Sequence, residues 1–199
     1  MSFGHDDLSL AVNVSARSLH NRKFAAMVLD CLAESGFAAS RLELEITERA
    51  FATDTERMAL TLAQLRALGI RISIDDFGTG YSSFAALRAI DADRLKIDQQ
   101  FVRRIGNQPE DLLVVEAIVQ LAHGLGMEVV AEGVESIDAR DALIEMGCRF
   151  GQGFMLARPM PPDETKRRLD SWAAASYPAA GNVIAHPAAT ARRHREALA

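Results

Sequence analysis

The chain has 199 residues, 49 % hydrophobic and 25 % charged, a balance that builds one domain with a real core and excludes a disordered chain. Its formal net charge of −5 argues against a partner as basic-face-dependent as a nucleic-acid polymer. Cys31 and Cys148 form no metal or redox spacing and read as buried thiols of a reducing compartment. No signal-like start or long apolar run is present, so a cytoplasmic protein with no membrane span is expected.

The first strand is expected from Leu8 to Val14, with Ala11, Asn13 and Ser15 on one parity and Val12 and Val14 on the other. A helix from about Asn21 to Glu34 carries a stripe of Phe24, Met27, Val28, Cys31 and Leu32 and ends at Gly36. The second strand, Arg41 to Thr47, sets Leu42, Leu44 and Ile46 against Glu43, Glu45 and Thr47, and Glu48 follows it. Thr53-Asp-Thr-Glu56 has the capping-box pattern. It opens a helix with Met58, Leu62, Leu65 and Leu68 on one stripe; both Met27 and Met58 sit at core spacing.

The third strand alternates Ile70, Ile72 and Ile74 with Arg71, Ser73 and Asp75. It ends in the pair Asp75-Asp76, followed at once by Phe77-Gly78-Thr79-Gly80. Ser82 or Ser83 starts a short helix to Leu87. The fourth strand, Asp93 to Asp98, places Arg94, Lys96 and Asp98 opposite Leu95 and Ile97. A helix spans Pro109 to Leu125, with proline in its permitted first turn. The fifth strand runs from Met127 to Glu132, Ser136 caps the next helix, and the sixth strand runs from Cys148 to Gln152. A last helix starts after Pro161-Pro162 and fades near Trp172. The Ala-, Pro- and Arg-rich remainder lacks apolar periodicity, so residues 1–172 are expected to form one domain and 173–199 a flexible tail.

Strand–helix alternation repeated six times predicts parallel strands with helical crossovers. Doubly wound sheets favour near-continuous apolar strands. Here the strands alternate and polar groups gather at their C-terminal ends, which favours a barrel with a polar mouth. Asn13, Glu45, Glu48, Asp75, Asp76, Lys96, Glu132 and Gln152 can all face that mouth. An all-oxygen ligand set without His or Cys suits Mg²⁺ or Mn²⁺ rather than zinc. Two such ions suit in-line displacement at phosphorus. Lys96 can stabilise charge on a phosphoryl oxygen, and Glu132 is the leading candidate for general base. Each acid taken alone reads equally as a solvated strand end, and Lys96 as a partner in a structural ion network.

Asn13-Val-Ser, Glu45-Ile-Thr-Glu48, Asp75-Asp-Phe-Gly-Thr-Gly-Tyr-Ser-Ser83, Lys96-Ile-Asp98, Ala131-Glu-Gly-Val-Glu135 and Gln152-Gly153 occur in order and together resemble the EAL domain, over residues 8 to 165. The resemblance implies a (β/α)₈ TIM-like barrel with an atypical antiparallel first strand. It also implies metal-dependent hydrolysis of cyclic di-GMP to linear pGpG. Asn13, Glu45, Asp75 and Asp76 would be metal ligands, and Lys96 and Glu132 would serve the attacking water and a second metal, with Gln152 beside them. Glu48 would anchor the loop from Asp76 to Ser83, which in the family leads to a dimer interface. A homodimer joined to an upstream sensor or GGDEF domain is therefore expected.

The family pattern also opens with a Glu-Ala-Leu strand and a phosphate-contacting arginine. This sequence has neither and begins at the counterpart of the third strand. The resemblance thus implies an N-terminally truncated barrel of about six of eight strands. Its alternative is a catalytically inactive cyclic di-GMP receptor or protein-interaction module.

Overall fold

The computed structural model describes residues 8–52, 55–80, 84–106 and 108–174. The expected capping pair Thr53-Asp54, the Tyr81-Ser82-Ser83 end of the glycine-rich motif and nearly all of the expected tail lie outside the described residues. Six strands, β1 (Leu10–Val14), β2 (Leu42–Thr47), β3 (Arg71–Phe77), β4 (Arg94–Ile97), β5 (Glu128–Glu132) and β6 (Phe150–Gln152), form one sheet in sequence order. Every neighbouring pair is parallel. Consecutive parallel neighbours require a crossover each time, and the helices supply it. The result is a curled half-barrel with β1 and β6 at its edges, as the alternating pattern predicts.

Eight α-helices accompany the strands among the described residues: α1 (Ala16–Leu19), α2 (Phe24–Ser35), α3 (Thr55–Ala67), α4 (Phe84–Ile90), α5 (Gln99–Val102), α6 (Pro109–Gly124), α7 (Ile137–Glu145) and α8 (Pro162–Ala174). The four-residue helices α1 and α5 are too short to produce a periodic signal. Ser15 is not a strand residue: its Oγ accepts the Ser18 N–H at 3.1 Å and caps α1. Asp98 does the same for α5, accepting from Gln100 N–H at 2.7 Å. Ser136 caps α7 as its sequence position suggests, accepting from Ala139 N–H at 3.1 Å.

The apolar parity of the strands meets the helices. Leu44, Ile46, Ile72, Ile74, Leu95 and Ile97 share one buried cluster with Met58, Leu62 and Leu65 of α3 and Val115 and Val119 of α6. Burying side chains of this size contributes roughly 1.5–3 kcal/mol each. Three expectations are corrected on the helices. Met27 and Leu68 are about half exposed, and Cys31 is exposed while Cys148 is buried. In α2 the residues facing the core are Phe24, Ala25, Val28 and Leu32. Met27 and Cys31 fall one position off that four-residue ridge and turn to solvent.

The opposite parity lines the inside of the curl, and it is polar along its whole height rather than only at the mouth. Glu43, Glu45, Ser73, Asp75, Arg94 and Lys96 are all buried. In the lower layer Arg94 bridges Glu43 and Glu128, each at 2.7 Å, and lies over the Phe150 ring at 4.9 Å. Charges survive inside because each has a partner; removing one member would leave the other buried and uncompensated.

A carboxylate cluster at the strand tips

Two adjacent residues of a regular strand point to opposite faces, so Asp75 and Asp76 should not share a site. The pairing of β3 with β4 resolves this. Ile74 is opposite Leu95, but Phe77 is opposite Ile97, so β3 carries one extra residue across this interval. Within that bulge Asp76 takes a left-handed backbone with φ of +54°. A bulge re-aims a side chain. Here it brings oxygens of both Asp75 and Asp76 into a group with Glu132, in which all three ligand atoms lie within 4.8 Å of one another.

Lys96 rises from β4 into the same space and is 3 % exposed. Its Nζ lies 2.8 Å from Glu45 Oε1, 2.8 Å from Asp75 Oδ1 and 2.7 Å from Glu132 Oε1. Burial works against its charge, but Glu132, Glu45 and Asp75 outweigh that and hold the lysine above its ordinary value. Gln152 Nε2 donates to Glu132 Oε1 at 2.6 Å, consistent with the register that pairs the two residues across β5 and β6. Burial, with Asp75 and Glu45 nearby, lifts Glu132 to about 7 against the pull of Lys96. A carboxylate poised there can accept a proton near neutral pH.

Backbone contacts fix the tips of β5 and β6 against each other. Val134 N–H donates to Gln152 O at 3.0 Å, and Met155 N–H donates to Val134 O at 3.1 Å. Gly153 permits this approach, since a Cβ there would sit 2.3 Å from both Val134 N and Val134 O. On the other side, Glu48 Oε2 accepts from Gly78 N–H at 2.9 Å and Gly80 N–H at 3.0 Å. This buried glutamate thus ties down the loop that leaves Asp76, where Gly78 adopts a φ of +98° that glycine alone takes up without strain.

Six of the eight residues singled out in the sequence therefore meet at one end of the sheet, directly or through one hydrogen bond, and Glu48 holds the loop beside them. Asn13 is the outlier. It pairs with Glu45 in the β1–β2 register and so belongs to the same face, but it is exposed on the edge strand. Asp98 was not singled out. Its carboxyl lies close to that of Asp76, and burial together with the charges of Asp75 and Asp98 raises Asp76 above the usual carboxylate range. The signal was its parity with Lys96, one step nearer the mouth.

The donor set fits a hard divalent cation. It is made of carboxylate oxygens, three of them gathered tightly, with no thiol or imidazole among the described group.

A sequence model of the EAL domain matches residues 1–159. The chain is 42 % identical over 168 residues to the Mycobacterium tuberculosis protein Rv1354c, which covers 84 % of the chain and 27 % of that relative. It is 40 % identical over 161 residues to MucR of Pseudomonas aeruginosa, named as a bifunctional diguanylate cyclase and cyclic di-GMP phosphodiesterase, covering 81 % of the chain and 24 % of MucR. The chain thus spans about a quarter of the length of these relatives. The MucR phosphodiesterase structure in complex with cyclic di-GMP superposes with a TM-score of 0.78 at 40 % identity, covering 81 % of this chain and 66 % of that one. A manganese and cyclic di-GMP complex of Klebsiella pneumoniae BlrP1 superposes with a TM-score of 0.70 at 32 % identity, covering 76 % and 39 %.

Proposed function

The chain belongs to the EAL domain family, and from that premise we propose that it is a metal-dependent phosphodiesterase domain that hydrolyses cyclic di-GMP to linear pGpG. The observation that carries the proposal is the β3 bulge that turns Asp75 and Asp76 into one group with Glu132. Asp75 and Asp76 would hold a divalent cation, with Glu45, Glu132 and Asn13 completing the shells of one or two ions. Mg²⁺ or Mn²⁺ suits these oxygens. Bound there, such an ion supplies Lewis acidity toward a phosphoryl oxygen and acidifies water.

The chain's own residues do the rest. Glu132 would take the proton of the attacking water, its carboxylate lying at the strand tips beside Asp75, Asp76 and Lys96. Gln152 fixes the Glu132 side chain through the bond to Oε1. The Lys96 charge favours the extra negative charge on phosphorus-bound oxygen as water adds. The bond from phosphorus to the ribose 3′ oxygen then breaks, that oxygen takes a proton, and the ring opens to a linear dinucleotide with one terminal phosphate. Glu48 keeps the Asp76 loop in place. The same reading takes the protein as a cytoplasmic homodimer that meets its partner through this loop, attached to an upstream sensor or GGDEF domain. Residues 1–172 act as the barrel unit and the remainder as a tail. Among the described residues no helix is long and apolar enough to cross a membrane.

The test is incubation of this chain with cyclic di-GMP and Mg²⁺ or Mn²⁺, following pGpG by chromatography. Metal-dependent pGpG formation, abolished by Asp75→Asn in a protein that still melts cooperatively, is the expected result. No turnover in either metal contradicts the proposal. Calorimetric binding without turnover would assign a receptor instead.

A further inference from the structure

Lys96 makes an arrangement that the reaction alone does not require. Its ammonium is buried and simultaneously contacts Glu45, Asp75 and Glu132 at 2.7–2.8 Å. Two of those three acids, Asp75 and Glu132, are also two of the three that offer oxygens to a metal ion. A monovalent cation and a divalent one therefore claim the same carboxylates. We propose that the Lys96 ammonium is a built-in counter-ion which a divalent cation must displace from Asp75 and Glu132, so that the lysine's hold on them sets the metal affinity of the site. This rests on the metal reading given above and deepens it.

The physical case is one of charge and contact. Without a cation, Glu45, Asp75, Asp76, Asp98 and Glu132 crowd one end of the sheet, and acids of like charge in poor solvent repel strongly. A lysine on a flexible stem is a mobile point charge that can relieve this in the absence of metal and withdraw when metal arrives. The lower layer shows the contrasting case. Arg94, a planar guanidinium, is held in two separate directions by Glu43 and Glu128 and touches none of the three acids, and it is not expected to move.

Two measurements on the 199-residue chain test this. In the first, Mn²⁺ is titrated calorimetrically into the parent protein and Lys96→Met. Loss of the competing charge should tighten binding at least about ten-fold; unchanged or weaker binding by the variant overturns the proposal. Lys96→Met leaves buried acids uncompensated and can fail to fold in chelator. The second measurement therefore needs no variant. The sequence holds three lysines, of which Lys23 and Lys166 are exposed, so a slowly exchanging side-chain ¹⁵N signal belongs to Lys96. Saturating Mg²⁺ should shift that signal or release it to fast exchange with water. An unmoved signal on a protein that calorimetry shows to be metal-bound overturns the displacement but leaves the metal reading standing. Absence of any divalent binding by the parent overturns both.

Discussion

Glu48 offers the most direct handle on the loop that positions Asp76. The side chain is 4 % exposed, and one of its oxygens accepts two backbone N–H groups, from Gly78 at 2.9 Å and Gly80 at 3.0 Å. Hydrogen bonds to a charged acceptor contribute roughly 1.5–3 kcal/mol each. Gly78 is exposed, so water can replace part of what Glu48→Ala removes, and the net loss should be about 2–3 kcal/mol. For a chain of this size that lowers the melting midpoint by roughly 5–10 °C. Glu48→Gln keeps an acceptor oxygen but not the charge and should cost about 1 kcal/mol. Because Asp76 sits at φ +54° immediately before this loop, freeing the loop should also let Asp76 relax out of the three-acid group and weaken Mn²⁺ binding. Melting curves in chelator, with a calorimetric Mn²⁺ titration, measure both effects. A Glu48→Ala protein that melts within 1 °C of the parent (about 0.3 kcal/mol,) and binds Mn²⁺ equally well would refute the anchoring role.

Gly153→Ala should destabilise the protein by about 3 kcal/mol and weaken Mn²⁺ binding, because a Cβ 2.3 Å from Val134 N and O prises the β6 tip from the segment that follows Glu132; a variant that melts and binds Mn²⁺ as the parent does would contradict this. In chelator, the folded protein holds a proton on Glu132 up to about 7, against 4.5 for the ordinary carboxyl. It therefore binds more protons than the unfolded chain in that window, and the Glu132 contribution to stability falls as pH rises through it, by at most about 3 kcal/mol. Urea melts at pH 5 and pH 8 should show this decline in the parent and its loss in Glu132→Gln. Burial pushes the Cys148 thiol up to about 11, whereas Cys31 is exposed. A maleimide should thus label one thiol per folded chain at pH 7, and Cys148 only after denaturant; rapid labelling of both would contradict the fold around β6.

The sheet was legible because its two faces differ so sharply. Ile70, Ile72 and Ile74 against Arg71, Ser73 and Asp75 fix both the period and the inward parity, and the same reading of β2 places Glu43 and Glu45 inside. What sequence could not give was how far down the barrel the polar lining runs. The parity of Arg94 with Lys96 was legible but its partners were not, and only the register that sets β4 between β3 and β5 brings Glu43 and Glu128 within reach of its guanidinium. The Asp75-Asp76 pair was visible as chemistry, but not the extra residue on β3 that makes both useful. A backbone angle of +54° on an aspartate is a tertiary choice that no local propensity announces. Asp98 escaped notice for a related reason: it serves at once as the cap of α5 and as the partner of Asp76. On the helices, Met27, Cys31 and Leu68 were misplaced because apolar residues next to a buried ridge carry the same letters as those on it.

Side chains from β3 and β5 should together form one divalent-cation site. Anomalous diffraction from crystals grown with Mn²⁺ measures this without recourse to turnover. A strong peak bounded by Asp75, Asp76 and Glu132 is expected, with carboxylate oxygens at about 2.1–2.2 Å. A structure saturated with Mn²⁺ whose anomalous peaks all lie away from these three residues would contradict it.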